Sequence, residues 1–420
     1  MREWRKKMKK SIKMLLMVFA VAFGVLLVSG STSKAAATWN AEIKQTNQNK
    51  SQVAISWSPY MGSEEFRYYY IYIGDSANNV ISPKERVYNN QTTATISGLA
   101  AGKVYYVRIE AVADYAGEEV VAASDPAGAI VTVPDVPKVS GLKQTDASTN
   151  SVSMSWNAVA GATSYDVYRY NGYNDFTKVG ADVQAPSFKD TTGLQANMEI
   201  RYFVLAKQAV AGTAIVGQSE MPSYTSELVT MRTMSAKVPL LAITNYWSSL
   251  NEAVYGWSQM NAVSGYQFEL KYGKKTLTKD VTSTSVSLKP FPKSVFVKAR
   301  VRAYITVDGK KKYGAWSSYK YDAATKKLTV TRSANKKKIT VKWNKVTGAT
   351  GYKVSIATKS GGTYKKVKTL SKKKNSITIT KYGKKKLKKN KRYYVKVEYL
   401  TKSGKKTVTS QISTGNINGI

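Results

Sequence analysis

The sequence predicts an all-β protein: four tandem seven-stranded antiparallel β-sandwiches behind an N-terminal export signal. Three observations carry this prediction. A tryptophan-centred phrase recurs four times at domain-sized intervals. Apolar and polar residues alternate with period two around each copy. Gly-, Asn- and Asp-rich turns punctuate the alternating runs.

The phrase is plainest in "WNAVAGATSYDVY" from Trp156 and "WNKVTGATGYKVS" from Trp343. Worn copies follow "QVAISW" at Trp57 and "AVYGW" at Trp257, and the intervals are 99, 101 and 86 residues. Solenoid repeats run about 20–50 residues, so these copies mark whole domains. Nine residues after each tryptophan stands an aromatic: Phe66, Tyr165, Tyr266 and Tyr352. The tryptophan closing one strand and the aromatic opening the next should meet between two sheets, each indole removing on the order of 200 Å² from water.

The elements follow in chain order. Residues 1–37 read as a signal peptide: a basic start, "MREWRKKMKK", an apolar run from Met14 to Val28, and Ala35-x-Ala37 as a small-residue cleavage site. The run is shorter than the roughly 20 residues a membrane span needs. Cleavage is expected near Ala37–Thr38, and no later segment reads as a transmembrane span. The divisions predicted beyond it are 38–134, 135–234, 235–325 and 326–420. Each carries an alternating strand after the paired aromatic ("YYYIYIG", "SYDVYRY", "YQFELKY", "YKVSIAT") and a later one ("YYVRIEAV", "RYFVLAKQ", "VFVKARVRAY", "YYVKVEYL"). In the third, Val297, Ala299, Val301 and Ala303 share one face, and Lys298, Arg300 and Arg302 the other. Pro134 and Pro137 stiffen the first joint and Pro239 the second. The third joint, "YDAATKKL", has no proline and should be the looser hinge.

These motifs resemble fibronectin type III domains, in the form common as tandem arrays in secreted Gram-positive bacterial proteins. The family's later strand carries Leu, six residues, then Tyr-x-Val-x-Val. Here Leu99 leads to Tyr105 and Leu387 to Tyr393, and the resemblance implies a tyrosine corner at each. The second division has Ile200 six residues after Leu194, and the third has Ser294 six residues after Leu288, so neither offers that phenol. The third instead carries "YGAWSS" from Tyr313, similar to the last-strand motif of some family members. The structural core is therefore expected at Trp57, Trp156, Trp257, Trp343, Tyr105 and Tyr393.

Composition narrows the chemistry. There is no Cys and no His, which excludes disulfides, a Ser-His-Asp triad, a Cys nucleophile and His-bearing metal sites. Acids stand at turns (Glu64–Glu65, Glu118–Glu119, Asp175, Asp190) and read as solvated rather than as a catalytic pair. No enzyme, cofactor or metal site is expected.

Two features remain. "RYYYIYIG" and "YRYNGYNDF" hold more tyrosine than one core face can bury. Tyr68, Tyr70, Tyr72, Tyr170 and Tyr173 are candidates for an aromatic contact surface, or simply good strand formers. The second feature is charge. The net charge of +39 is uneven: residues 38–134 carry −3, 135–234 −1, 235–325 +9, and 326–420 +27 with Glu398 the only acid. Lysines dominate the last division, which has only two arginines, so non-specific attraction to a dense polyanion is favoured over a sequence-specific nucleic-acid reader. The candidate contacts are Lys372, Lys373, Lys374, Lys384, Lys385, Lys386, Lys388, Lys389, Lys391 and Arg392, the densest runs, expected in loops. The alternative is a solvated face that keeps edge strands apart.

Three functions fit: a secreted surface protein held non-covalently on an anionic cell-wall polymer such as teichoic acid, with its N-terminal domains projecting to bind a polysaccharide or a host surface protein; a passive extracellular spacer; or an accessory polysaccharide-binding module beside separate enzymes.

Overall fold

The computed structural model describes residues 35–114, 117–173, 175–239, 241–247, 251–324, 328–359 and 361–410. The segment read as a signal peptide, apart from residues 35–37, lies outside the described residues. Among those residues the only helical turn is Thr225–Glu227, and everything else regular is strand.

Four sandwiches follow one plan, a three-stranded sheet facing a larger one. In the second, Lys143–Ser148, Ser151–Ser155 and Ser187–Asp190 form the small sheet. Asp175–Val183, Ser164–Gly172 and Glu199–Ala209 form the large one, completed by a last strand in two pieces, Val216–Gln218 and Val229–Arg232. The third repeats this with its last strand split into Lys310–Tyr313 and Lys320–Ala323. Counting the split strand once gives seven. The first adds Ala37–Trp39, which pairs parallel to Glu118–Ser124 with Ala37 opposite Ala122, one departure from an all-antiparallel plan.

A serine marks each break in the last strand. Ser124, Ser219 and Ser317 accept the backbone N–H of Ile109, Ala206 and Val301 through their hydroxyls at 2.9–3.0 Å. The hydroxyl supplies the acceptor that the interrupted ladder withdraws.

The contacts divide the described chain into two compact units. One is the first sandwich, and the other runs from Val133 onward with residues 101–103. Every sandwich has its own core around a buried tryptophan: Trp57, Trp156, Trp257 and Trp343 are 3–7% exposed. Trp156, Trp257 and Trp343 meet Tyr165, Tyr266 and Tyr352 with centroids 5.3–5.5 Å apart. In the first sandwich the spacing rule fails. Trp57 packs on Tyr69 (5.5 Å), and Phe66 lies behind that ring at 4.8 Å. The longer loop "MGSEEF" pushes the true partner three residues along the chain.

The paired tyrosines also act through their hydroxyls. Each accepts the backbone N–H of the third residue after the tryptophan: Tyr69 from Tyr60 (2.9 Å), Tyr165 from Val159 (3.0 Å), Tyr266 from Met260 (2.9 Å) and Tyr352 from Val346 (3.3 Å). One side chain thus fills the core and ties the loop leaving the tryptophan strand. The tyrosine corners are present as well. Tyr105 accepts the Ala100 N–H at 2.9 Å, and Tyr393 that of Lys388 at 3.0 Å. Tyr393 is buried, whereas Tyr105 is half-buried.

The expectation of a loose third joint is overturned. Phe296, at the start of strand Phe296–Val307 in the third sandwich, packs into the core of the fourth together with Ala323 and Leu328. Hydrogen bonds cross the joint: Thr347 N–H to Ser294 O (2.9 Å) and Phe296 N–H to Thr347 O (2.9 Å) between backbones, and Ala323 N–H to the Ser410 side-chain Oγ (2.9 Å). Apolar burial stiffens this joint without proline. The second and third sandwiches are also packed, through Ala147, Met234, Ile305 and Val307 and the pair Lys312–Asp146 at 2.8 Å.

Candidate polyanion interface

Strand register locates the described lysines of the fourth sandwich along its length. Thr329 opposes Lys342 and Arg332 opposes Ile339; Ser376 opposes Lys342 and Ile379 opposes Ile339. The chain enters from the third sandwich beside Leu328, so Thr329, Lys342 and Ser376 lie at the junction end. Arg332, Ile339 and Ile379 lie at the opposite end, here called the tip. In the large sheet, Gly351–Ala357, Lys365–Ser371 and Tyr394–Ser403 run the same length, with Ala357, Lys365 and Tyr394 at the tip.

The tip therefore gathers the turn with Lys336, Lys337 and Lys338, then Lys359, Lys365, and everything from Lys381 to Arg392. With Arg332 this is fourteen of the 28 cations in residues 326–420. Lys384, Lys385, Lys386, Lys388, Lys389, Lys391 and Arg392 are all exposed. Not all lie in loops: Lys381–Tyr382 and Lys385–Lys386 pair as a small hairpin. Gly383 has φ of 63° in its turn, as a two-residue hairpin with glycine at the first position requires. Leu387 then dips into the core at 5% exposure and anchors the hairpin.

Arg332 organises the remainder. Its guanidinium donates to Lys388 O (2.7 Å), Lys391 O (3.1 Å) and Lys336 O (3.1 Å), joining the two basic turns. Lys365 Nζ sits 5.0 Å over the Tyr382 ring, which joins the edge strand to the hairpin. The one acid, Glu398, is shared by Lys353 (2.7 Å) and Lys396 (3.5 Å) on the outer face of the large sheet. No second acid exists in this division to neutralise the tip.

Lys372, Lys373 and Lys374 do not belong to this cluster. They are exposed in the turn between Ser371 and Ser376, at the junction end. The four residues of Ser376–Ile379 separate them from the hairpin by about 13 Å of strand.

The aromatic candidates divide as period two requires. Tyr69, Ile71 and Ile73 are buried while Tyr68, Tyr70 and Tyr72 face outward, half-buried. The outward rings are already partnered. Arg86 lies 4.6 Å over Tyr68, Arg108 lies 5.4 Å over Tyr72, and the Tyr70 hydroxyl donates to Glu118. Tyr170 leans on Phe176 (5.6 Å) in a satellite cluster with Phe203 and Leu228. Tyr173 is fully exposed at a hairpin turn with φ of 49°.

Asp190 is not solvated as the sequence suggested. It is 0% exposed, accepts the Tyr202 hydroxyl at 2.7 Å, and pairs with Arg169. The third sandwich repeats the arrangement with Asp322 accepting the Tyr255 hydroxyl at 2.7 Å. Burial, then the neighbouring carboxylate, pushes the Tyr255 phenol well above its ordinary value. These are internal cross-ties between sheets. Among the described residues no group of three or more His, Cys, Asp or Glu side chains gathers where it could hold a metal.

Comparison with known proteins is consistent with the first sandwich as built. Residues 38–123 match the family model for the Fibronectin type III domain. Among solved structures, the FN1–FN3 domains of chicken CNTN1 are 18% identical, covering 67% of this chain and 99% of that chain, with a TM-score of 0.23. No curated protein matches the sequence.

Proposed function

We propose that this protein is an exported, non-catalytic binding scaffold whose fourth sandwich is held on a dense polyanion by its tip. The polymer class is a flexible polyphosphodiester such as teichoic acid. One observation carries the reading: fourteen cations converge at the end of the fourth sandwich farthest from the third, with no acid among them. Lysine supplies hydrated point charges suited to a mobile anionic chain, and the exposure of Lys384, Lys385, Lys386, Lys388, Lys389 and Lys391 supports the reading. The first two sandwiches are close to neutral, and in this reading they are displayed rather than held.

The test is retention of the full-length chain on purified cell walls, with and without teichoic acid, across a salt series. Binding should need the anionic polymer and fall steeply with salt, as counterion release dictates for polyanions generally. Replacing Lys384, Lys385, Lys386, Lys388, Lys389 and Lys391 with Gln should weaken it without unfolding the sandwich. Retention that ignores salt, or a variant that binds as well as the parent, overturns the polyanion reading and leaves the spacer and polysaccharide-binding functions. A second reading, polysaccharide contact through the second sandwich, is favoured by the exposed Tyr173. Glycan retardation lost in Tyr173→Ser is its test.

A further inference from the structure

The packed joint between the third and fourth sandwiches aligns a second set of cations. Alternate residues of strand Phe296–Val307 face outward from the third sandwich. Phe296 enters the fourth core, and Lys298, Arg300 and Arg302 follow in a row leading away from the joint. Aromatic rings interleave with that row. Lys298 Nζ lies 4.8 Å over Tyr319, Arg300 lies 4.1 Å over Trp316, and Arg302 lies 3.8 Å over Tyr313. Tyr321, directly opposite Lys298 in the ladder, donates its hydroxyl to Ser403 Oγ of the fourth sandwich at 3.1 Å. Lys405 and Lys406 follow in the turn after Ser403, both exposed, with Lys406 opposite Ser403.

Charge is unevenly neutralised along this row. Glu269 takes Arg300 at 2.6 Å and Lys271 at 3.2 Å, and Arg302 donates to Gln267. Among the described residues no carboxylate lies within ion-pair distance of Lys298, Lys405 or Lys406. Along this row the cation left without a carboxylate, Lys298, is therefore the one nearest the joint.

We propose that this joint is a second polyanion-binding surface, built from both sandwiches, with Lys298, Lys405 and Lys406 as its contacts. The proposal rests on the polyanion reading of the tip and adds to it that a long polymer is held at both ends of the fourth sandwich. The seven residues of Lys365–Ser371 put about 23 Å between the two ends. A flexible chain of sufficient length bridges that span, whereas a short oligomer occupies one end. The bonded joint fixes the position of Lys298 relative to Lys405 and Lys406, so the second contact is intramolecular and adds avidity. Cation–π contact with Tyr319 holds the Lys298 stem in place, so less side-chain freedom is lost on binding.

The experiment is calorimetric titration of the full-length chain with inorganic polyphosphate. Tetraphosphate serves as the short probe, and a chain long enough to span the fourth sandwich as the long one. The parent should bind the long chain at least about tenfold more tightly per polymer than tetraphosphate, as an added tethered contact allows. The triple variant Lys298→Gln, Lys405→Gln, Lys406→Gln should lose most of that advantage while keeping tetraphosphate binding at the tip. Its dependence of log K on log salt should flatten by about two units, since up to three phosphate contacts are gone. A triple variant that matches the parent for the long chain, in affinity and salt slope, overturns the second surface and leaves the tip reading intact. A parent that binds neither probe overturns both. The six-lysine tip variant separates the two sites: long-chain binding that persists there but is lost in the triple variant supports the joint and removes the tip.

Discussion

Replacing Phe296 with Ala tests whether the third and fourth sandwiches are one mechanical piece. The ring belongs to a strand of the third sandwich but is packed in the core of the fourth, 9% exposed. Truncating a buried Phe costs about 3–5 kcal/mol, transfer and cavity terms together. The ring sits at the end of that core, where the joint can partly close over the gap, so the lower figure, about 3 kcal/mol, is expected. For a domain near 95 residues each kcal/mol shifts the midpoint by about 4–8 °C, so the fourth sandwich should melt more than about 10 °C earlier. The assay is hydrogen exchange resolved by segment, following amides of Gly351–Ala357 for the fourth core and Gly265–Tyr272 for the third. In the parent both segments should open together at the highest free energies. In the variant the fourth should open first, while the third keeps its protection. Unchanged protection of Gly351–Ala357 would refute the reasoning, because it would mean that Phe296 merely rests against a core that does not need it.

Three further outcomes are expected. Tyr352→Phe should destabilise the fourth sandwich by about 1–3 kcal/mol in urea unfolding, because the Val346 N–H loses its acceptor in a buried site; Tyr393→Phe should cost about 1 kcal/mol, since the Lys388 N–H it releases can reach water. Added NaCl should raise the melting point of the fourth sandwich, where Lys381 opposes Lys386 in the hairpin and exposed like charges crowd the tip, because salt screens their repulsion, and calorimetry should show no such rise for the first sandwich. Asp166 is buried, which raises its pKa, yet bonds from Lys178 and the Asp182 N–H, with Lys207 nearby, hold it below the ordinary carboxylate value; its contribution is complete above the unfolded pKa and is lost as pH falls through the folded one, so the second sandwich should weaken below about pH 4, and Asp166→Asn should flatten that dependence.

The architecture was legible because its determinants are local and repeated. A tryptophan at the end of an alternating run, with an aromatic at fixed spacing, shows up in the chain without any knowledge of pairing. The spacing misled only where a loop had grown, at Phe66, because counting cannot see which of several neighbouring rings turns inward. The charged tip was half legible. Composition identified the fourth division as a polycation, but only register shows that residues 336–338 and 381–392 share an end and that Lys372, Lys373 and Lys374 lie at the other. The buried Asp190 was illegible because its partners, Tyr202 and Arg169, come from two other strands, and no local pattern distinguishes a carboxylate that bridges sheets from one that faces water.

The missing tyrosine corner of the third sandwich and its missing proline have one explanation. In the first and fourth sandwiches a phenol takes a backbone N–H from the loop before the long strand, and so fixes how that loop enters the sheet. In the third, the same stretch is held by its own last strand and from outside: Ser294 donates to Ala324 O at 2.8 Å and accepts the N–H of Thr347 in the fourth sandwich at 2.9 Å, while Phe296 is clamped in the next core. A tyrosine turned back on its own loop would be redundant there, and a proline in "YDAATKKL" would buy stiffness that burial already supplies. The strand that begins at Phe296 is therefore anchored by the fourth sandwich at one end and carries the row Lys298, Arg300 and Arg302 along its outward face. The departure from the pattern of the first and fourth sandwiches is the feature that locks the third to its neighbour and sets its cations beside those of the fourth.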